Sequence, residues 1–386
     1  MSELGNIAQP KTGTLAGNFD MTILLIVVVL SCLGVVMVYS ASAVMAMEQA
    51  RCNHDSFFFF KRQGVFVTMG LIAMVVTMFY DYHKLRPFAM PLLLGCIVLL
   101  SLLLVPGLGH SANGSVRWFR LGGFSFQPSE LAKLSLILYL AHSLTKRKEK
   151  IGGFLLGFLP YTVMLVVLLG LILMEPDLGS AVVVGTVGAT IMFVAGVKFR
   201  YLLMAAITGG PLLYMAIVRV PYRRERLLAF LNPWATPDTS GYQIIQSQIA
   251  FDSGGFWGQG LGQGIQKLFY LPEAHTDFIF SVLGEELGFV GVLAVAGMFL
   301  ALVLLGLRVA LHTADAFGRY LAVGTTVLVG LEAFLNIAVV LGMLPPKGMA
   351  LPFISYGGSS LMCCLLAVGL LLSVSRYGER EVEKNS

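Results

Sequence analysis

An acidic residue, Asp277, stands where a long polar interval gives way to an apolar stretch, and this position suits it for chemistry. The interval covers residues 220–276 and ends in Leu271-Pro-Glu-Ala-His-Thr-Asp277. A carboxylate carried to the centre of a bilayer costs about 2.5–3.5 kcal/mol, and less near the interface. At the mouth of a span, Asp277 can therefore stay ionised and act as a general base on a membrane-embedded substrate.

Four polar clusters elsewhere in the chain supply the other candidate groups. They are Asn113-Gly-Ser-Val-Arg117-Trp118, Gln127-Pro-Ser-Glu130 with Lys133, Glu175-Pro-Asp177-Leu-Gly-Ser180, and Pro221-Tyr-Arg223-Arg224-Glu-Arg226. Arginines bind phosphate through paired hydrogen bonds, and a carboxylate can take a proton from a hydroxyl. Groups of both signs on one side of a membrane suit an anionic ligand that is rich in hydroxyls.

Several of these residues also have purely structural interpretations. Asp277 or Thr276 could cap the helix that follows, whose first amides need acceptors. His275 could pair with Asp277, although a single histidine in a loop is more often solvated. Trp118 is a residue type common at the membrane–water interface, and the arginines of the fourth cluster could bind lipid headgroups. The sequence leaves these alternatives open.

The acidic and basic residues inside apolar stretches could likewise be structural or functional. Glu130 and Lys133 lie three apart on one helix turn, a spacing that favours a structural ion pair. Glu285 and Glu286 lie about two turns beyond Asp277. One of these two is expected to meet a basic partner such as Lys133.

The composition predicts a polytopic membrane protein. The chain is 57% hydrophobic and 12% charged, with a mean hydropathy of +0.82, whereas soluble domains are about 25% charged. Windows of about 20 residues predict an all-α fold with about ten transmembrane helices. They lie at 21–44, 63–80, 87–107, 128–144, 152–173, 178–196, 199–219, 277–307, 320–343 and 357–375. The fourth is weak because Glu130 and Lys133 interrupt it, and the eighth is long enough to tilt or to project beyond the bilayer.

The distribution of lysine and arginine orients these helices. The tails and the even-numbered loops carry 14 of these residues and the other side carries 11, five of them around the interval 220–276. Without that interval the ratio is 14 to 6, which places both termini in the cytoplasm and the interval outside. The predicted layout is a cytoplasmic tail at 1–20, one transmembrane domain at 21–376 with an extracytoplasmic loop at 220–276 between helices 7 and 8, and a cytoplasmic tail at 377–386.

Motifs for nucleotides and metals are missing from the sequence. The Gly-rich run 254–264 matches neither the P-loop pattern nor the dinucleotide fingerprint, and no zinc-site motif is present. Nothing in the sequence points to a nucleic acid.

The helix at the start of the last span is broken by the run Pro352-Phe-Ile-Ser355-Tyr-Gly-Gly358. Irregular backbone at that depth is tolerated where protein or a water-filled cavity surrounds it, so a cavity is expected there.

Several runs, in order along residues 20–376, resemble the SEDS family (shape, elongation, division and sporulation). They are Arg117-Trp118, Gln127-Pro-Ser-Glu130, Glu175-Pro-Asp-Leu-Gly-Ser180, Gly241-Tyr-Gln, Gln266 through Gly288, and Pro352-Phe-Ile-Ser-Tyr-Gly-Gly-Ser-Ser360. Within the family, Leu228-Ala-Phe-Leu-Asn-Pro-Trp234 resembles the division branch rather than the elongation branch.

The resemblance implies a ten-span peptidoglycan glycosyltransferase that polymerises lipid II outside the cytoplasmic (inner) membrane of a bacterium, at the division septum. It implies a class B, FtsI-like penicillin-binding protein as partner, beside other divisome proteins and the membrane lipids. The family's essential aspartate corresponds to Asp277, and its arginine–tryptophan pair corresponds to Arg117 and Trp118.

The candidate residues and the family resemblance together predict one mechanism. Asp277 deprotonates the sugar 4-hydroxyl of the acceptor, which attacks the anomeric carbon of the donor with inversion, and polyprenyl pyrophosphate leaves. The sequence fixes no cofactor, although a divalent cation, Mg²⁺ or Mn²⁺, could assist the departure. Lys133 is expected to pair with Glu285 or to assist from below. The candidate substrate-binding residues are Arg117, Trp118, Arg223, Arg224, Arg226, Lys133, Glu130, Glu285, His275 and Ser355.

Two functions from other classes compete with this one. Interrupted helices and charges inside spans also suit a transporter that flips the lipid-linked precursor, although no inverted repeat is visible. A scaffold that only recruits division proteins is the third alternative, and Asp277 would not matter for it.

Overall fold

A computed structural model of the chain describes residues 20–112, 115–121, 124–147, 151–239 and 241–385. Within these residues the protein is mostly helical and contains twelve α-helices. They are α1 Met21–Glu48, α2 Phe58–Phe79, α3 Ala89–Leu103, α4 Pro128–Lys146, α5 Leu159–Met174, α6 Leu178–Val194, α7 Phe199–Val218, α8 Pro221–Leu231, α9 Tyr242–Gly254, α10 Ile279–His312, α11 Ala316–Val340 and α12 Gly358–Asn385.

Aspartates begin three of the long helices. The side chain of Asp20 accepts hydrogen bonds from the first amides of α1, Asp177 accepts from Ser180 N at the start of α6, and Asp315 accepts from Gly318 N at the start of α11. Each cap provides an acceptor for amides that have no partner within the helix. Asp177, which the sequence placed in a polar cluster, therefore has a structural role.

Each of the ten predicted spans coincides with a helix, but fewer helices meet the length and hydropathy expected of a span. In the described part of the chain, seven do so. They are Met21–Glu48, Phe58–Phe79, Tyr82–Leu103, Phe154–Met174, Ile279–His312, Ala316–Val340 and Gly358–Tyr377. Helix α6 is apolar but shorter, and α4 carries Glu130 and Lys133. The protein is a multi-pass membrane protein, and the count of ten spans stays a prediction.

The prediction of an all-α fold needs one correction. Between α3 and α4 the chain forms a small antiparallel sheet of three strands, β1 His110–Ala112, β2 Ser115–Leu121 and β3 Phe124–Phe126. Its register sets His110 opposite Trp118 and Phe119 opposite Phe126. Strands β1 and β3 have three residues each, too few for a sequence signal, because alternation is read over four to eight residues.

The core of the bundle is built around α11, which packs against α10, α12, α4 and α6. Helix α12 packs mainly on α2, and α10 also contacts α9 and α1. Most of α11 is buried, which explains why its polar side chains need partners inside the protein.

The interval 220–276 is folded rather than irregular. It contains α8, a short 3₁₀ helix at Pro233–Ala235, and α9. The helix that follows, α10, is interrupted at Gly288, whose φ of 66° and ψ of −168° are not helical. The predicted tail 1–20 lies outside the described residues except for Asp20, and the predicted tail 377–386 is helical to Asn385.

Candidate functional site

Asp277 lies in the turn before α10, where side chains from α11 and from the connector 341–357 hold the backbone. Asn336 Nδ2 donates hydrogen bonds to the carbonyl oxygens of Asp277 (2.9 Å) and Met349 (2.6 Å). Ser355 Oγ donates to the carbonyl oxygen of Thr276 at 2.6 Å. Asn336 and Ser355 are both buried, so the position of Asp277 is fixed from inside the bundle.

The capping interpretation of Asp277 and Thr276 is wrong. Helix α10 begins at Ile279 after Phe278, and no side chain caps its first amides. Thr276 Oγ1 donates instead to the carbonyl and carboxylate oxygens of Glu273. The Asp277 carboxylate makes no hydrogen bond or ion pair with any described residue, which leaves both of its oxygens available to a ligand.

The connector 341–357 passes directly beside this carboxylate. A Cβ atom added to Gly348 would lie 3.2 Å from Asp277 Oδ2, so the main chain comes close to the acid. The neighbouring Lys347 is partly buried, and burial lowers the pKa of its ammonium group. Ser355 and the helix break at residues 352–358 pointed to the end of this connector, but nothing in the sequence pointed to Gly348 or Lys347.

The surroundings of Asp277 favour a proton-accepting role near neutral pH. Part of its side chain reaches solvent, but burial of the carboxyl raises its pKa to about 7. The negative charges of Glu273 and Asp177 also raise this pKa, whereas the positive charges of Arg226 and Arg117 lower it. A base with a pKa near the working pH can both take and release a proton.

Arg117 joins strand β2 to the connector between α5 and α6. Its Nε donates to the carbonyl oxygen of Glu175 at 3.1 Å, and its Nη2 donates to that of Pro176 at 2.5 Å. A guanidinium group has five N–H donors, so Arg117 keeps further donors for a ligand while its position is fixed.

Glu175 is a second acid in this region. Its side chain is 1% exposed and neither carboxylate oxygen has a hydrogen-bond partner. Burial and the charge of Asp177 raise the pKa of Glu175 to about 8, against the lowering effect of Arg117. At neutral pH this side chain is therefore mostly protonated, and it offers a hydrogen-bond donor beside Arg117.

Two arginines of α8 face the same region and a third does not. Arg223 Nη2 donates to the carbonyl oxygen of Leu173 (3.4 Å), and Arg226 Nη1 donates to that of Pro346 (3.3 Å). Burial lowers the pKa of Arg223, as does the charge of Arg117. Arg224 is exposed. We call Asp277, Arg117, Arg223, Arg226, Asp177 and Glu175 the Asp277 cluster.

Trp118 and His275 lie near this cluster and differ in burial. Trp118 is half-buried on β2, paired with His110. His275 is buried against Phe59 and Tyr356, with ring centroids 4.8 Å and 5.8 Å from its own. The expectation of a solvated histidine is wrong, because the turn before α10 folds inward onto these aromatic rings.

Glu130 and Lys133 form the ion pair that their spacing predicts, at 2.8 Å and fully inside the bundle. Lys133 also pairs with Glu332 of α11, and Cys364 Sγ donates to Glu332 Oε2 at 3.3 Å. The prediction that Lys133 pairs with Glu285 is therefore wrong. The partner on α11 was missed, although an acid inside an apolar helix is itself a signal.

Glu285 and Glu286 bind the loop between α9 and α10 instead. Glu285 Oε1 accepts hydrogen bonds from Ile265 N (2.7 Å) and Gln266 N (3.2 Å). Glu286 pairs with Lys267 at 2.6 Å, and Ser40 Oγ of α1 donates to the same carboxylate. The basic partner expected for one of these acids exists, but it is Lys267 rather than Lys133.

No complete set of protein ligands for a metal ion is present in the described ranges, in which no group of three or more His, Cys, Asp or Glu side chains could hold one. The residues that sequence reasoning missed are Asn336, Glu332, Gly348 and Lys347, with Glu175 quoted but given no role. Asn336 carried a signal, as an amide within an apolar helix. Gly348 carried none.

The chain matches one family model, described as cell cycle protein and comprising FtsW, RodA and SpoVE, over residues 20–380. A protein of Geobacter metallireducens named "Probable peptidoglycan glycosyltransferase FtsW" is 55% identical over 93% of this chain and 95% of its own length. Stage V sporulation protein E of Bacillus subtilis is 43% identical over 93% of this chain and 97% of its own length. The residues matched by the family model include Asp277 and all of α11.

Solved structures show the same fold. A chain from work described as "Structural coordination of polymerization and crosslinking by a peptidoglycan synthase complex" matches with a TM-score of 0.74 and 32% identity, over 92% of this chain and 97% of that one. The rod shape determining protein RodA of Thermus thermophilus matches with a TM-score of 0.66 and 29% identity, over 92% of this chain and 96% of its own.

Proposed function

The chain belongs to the cell cycle protein family of FtsW, RodA and SpoVE and is a peptidoglycan glycosyltransferase; we propose that it polymerises lipid II into glycan strands during septal wall synthesis. The enzyme class rests on similarity over nearly the full length to proteins of that name. The substrate and the place in division are the proposal.

The proposed reaction rests on the environment of the Asp277 carboxylate. It is held from inside the bundle, has no protein partner in the described residues, and has a pKa of about 7. In the proposed reaction it takes the proton of the acceptor's sugar 4-hydroxyl while that oxygen forms a bond to the donor's anomeric carbon. The bond from this carbon to the pyrophosphate breaks, and its electron pair leaves with the pyrophosphate. Because the oxygen enters on the face opposite the leaving group, the configuration inverts.

The arginines of the Asp277 cluster supply the opposite charge. Arg117, Arg223 and Arg226 approach from a strand and from α8, and all three are anchored on backbone carbonyl oxygens. Fixed donors stabilise developing negative charge without having to reorganise. We assign them to the departing polyprenyl pyrophosphate, with Arg224 and Trp118 as outer contacts to the substrate.

The other candidate residues support the site from behind. Ser355 fixes the turn through Thr276 O, and His275 anchors it on aromatic rings. Glu130 and Lys133 lie deeper, in the buried network with Glu332, and Glu285 holds the loop before α10. We propose that these five act by positioning rather than by touching the reacting atoms.

A divalent cation, Mg²⁺ or Mn²⁺, stays a prediction. The Asp277 oxygens are free, and within the described ranges no group of three or more His, Cys, Asp or Glu side chains could hold a metal ion. A cation there would need pyrophosphate oxygens to complete its shell, since Mg²⁺ is commonly bound by one or two carboxylates plus substrate phosphates.

We further propose that the protein resides in the bacterial cytoplasmic membrane at the septum, with both termini inside and the Asp277 cluster outside. The lysine and arginine ratio of 14 to 6 supports this orientation. A class B penicillin-binding protein, FtsI-like, is the proposed partner, together with other divisome proteins. The match to a chain of a peptidoglycan synthase complex supports a partner of this kind.

Reconstitution with fluorescent lipid II tests this function. Wild-type protein in liposomes with its cognate transpeptidase is expected to make polymer, and Asp277→Asn is expected to make about 10²–10⁴-fold less, as for loss of a general base. Asp252→Asn removes an exposed carboxylate of α9 and serves as the matched control. If no variant makes polymer and the wild type moves lipid II across the bilayer, the flippase alternative replaces the glycosyltransferase.

A further inference from the structure

The break in α10 at Gly288 is filled by another part of the chain. Residues 255–265, which we call the strap, leave α9 and lie against the interruption. The strap is so close that a Cβ atom on Gly258 would overlap Glu286 O, and one on Gly288 would overlap Gly258 N. Three glycines, with Gly254 beside Gly284 O, allow this approach.

The strap replaces the helical hydrogen bonds that the break removes. Gln259 N and Gly260 N donate to the carbonyl oxygens of Glu285 and Glu286, both at 3.0 Å. In return, Phe289 N donates to Gly255 O (2.9 Å) and Val290 N to Phe256 O (3.3 Å). Further strap amides, those of Gly262 and Ile265, donate to the carboxylates of Glu286 and Glu285.

These bonds permit the strap to leave bulk water. Non-helical backbone is tolerated at membrane depth only where its polar groups find partners. Most N–H groups from Gly258 to Ile265 have a hydrogen-bond partner in the protein. Four of them donate to carbonyl or carboxylate oxygens of α10. The strap therefore presents few unpaired N–H groups to its surroundings.

The large apolar side chains of the strap are exposed. Trp257 is 78% exposed, and Phe256, Leu261 and Ile265 are also exposed. Phe256 contacts Trp257 and also Phe289 of α10, at centroid distances of 5.2 Å and 5.8 Å. Residues 254–265 contain no charged side chain, and Gln259 and Gln263 are the polar ones among them.

The position of the break matches the edge of a bilayer. Residues 289–312 follow it as one helix, and at 1.5 Å per residue they extend about 36 Å. This length exceeds the hydrocarbon core of about 30 Å, so Gly288 lies near its edge on the Asp277 side. The exposed strap residues continue the apolar outer face of this helix, which includes Val290 and Leu293.

We propose that the strap is a membrane-interface anchor: Phe256, Trp257, Leu261 and Ile265 insert among the lipids of the leaflet on the Asp277 side. Aromatic side chains prefer that depth, and an uncharged surface of large apolar side chains suits lipid better than a charged protein partner. The anchor sets the height of the short segment 279–287, and hence of Asp277, above the hydrocarbon core. The proposal goes beyond the reaction, because it would hold for any function of the site.

Quenching of Trp257 fluorescence tests the anchor. The chain has three tryptophans, so a variant with Trp118→Phe and Trp234→Phe leaves Trp257 as the single reporter. It is reconstituted in phosphatidylcholine–phosphatidylglycerol vesicles with or without lipids brominated at shallow acyl positions. The same background with Trp257→Phe gives the residual signal. If the double substitution does not fold, the difference in quenching between wild type and Trp257→Phe gives the same quantity.

The anchor predicts loss of most Trp257 emission with shallow brominated lipids, less loss with deeply brominated ones, and weak quenching by aqueous acrylamide. Strong acrylamide quenching without an effect of the brominated lipids would overturn it. Protection from both quenchers would overturn it as well, since it would mean that protein covers the strap. Neither readout depends on glycosyltransferase activity, so failure of the anchor and failure of the proposed reaction are distinguishable.

Discussion

At the scale of single residues, the decisive property of Asp277 is its lack of a protein partner. Its backbone carbonyl is bound by Asn336, while its carboxylate accepts nothing from the described residues. The sequence predicted Asp277 as a candidate from its place at the end of a polar interval. It could not exclude a cap, because helix capping depends on where α10 begins, and that start lies one residue later than a cap by Asp277 would require.

The raised pKa of Asp277 predicts a pH-dependent effect on stability. The carboxyl has an ordinary pKa of 3.8 when unfolded and about 7 when folded. Between these values the folded state holds a proton that the unfolded state has lost, so stability falls as pH rises towards 7. Asp277→Asn has no such proton and should gain thermal stability relative to wild type at pH 8, with little difference at pH 4. An equal difference at both pH values would show that the acid is not buried as described.

Arg117 is predicted to matter through its charge and its anchoring bonds. Arg117→Gln removes a donor set for the pyrophosphate and loosens the α5–α6 connector, so polymerisation should fall by about 10–100-fold, the equivalent of about 1.5–3 kcal/mol for a charged hydrogen bond. Arg120→Gln is the matched control, since Arg120 is exposed on the same strand. Equal losses in both variants would remove Arg117 from the site.

At the scale of elements, the sequence predicted where helices lie better than how they are interrupted. The ten apolar segments all coincide with helices because hydrophobic length is visible in one dimension. The break at Gly288 was not predicted, because an isolated glycine is compatible with a helix. The break depends on the strap, which is more than twenty residues away in sequence, as the Lys133–Glu332 pair depends on α11.

The break itself can be tested with two glycines of α10. Gly288→Ala would place a side chain at a φ of 66° and against Gly258 N, so it should destabilise the protein by at least about 1–3 kcal/mol. Gly297→Ala, where nothing lies within 4 Å of the new Cβ, should be neutral or slightly stabilising. Thermal unfolding of both purified variants measures the difference. Similar melting temperatures would contradict the tight junction between strap and helix.

At the scale of the whole molecule, the fold joins three distant parts of the chain at one end of the bundle. Strand β2, helix α8 and the turn before α10 converge there, and the connector between α11 and α12 closes the arrangement. The sequence predicted this convergence only by counting charges on the loops. It could not identify the contacts, because they join residues 50 to 120 positions apart.

Orientation in the membrane is testable by labelling. Thr239→Cys lies in the interval 220–276, and Lys146→Cys lies at the end of α4, on the predicted cytoplasmic side. A membrane-impermeant maleimide should label Thr239→Cys in right-side-out vesicles and Lys146→Cys in inverted ones, with the wild type as control for the five native cysteines. The reverse pattern would place the Asp277 cluster inside the cell and remove lipid II on the outer leaflet as its substrate.

The pH dependence of lipid II polymerisation tests the central claim most directly. If Asp277 is the general base, the wild-type rate should rise with pH and level off above a midpoint near 7, the pKa of this carboxyl. Asp277→Asn, folded and reconstituted in the same way, should retain only a small rate without this rise. Wild-type turnover in Asp277→Asn, with the same rise through neutral pH, would contradict the account and assign the proton to another group.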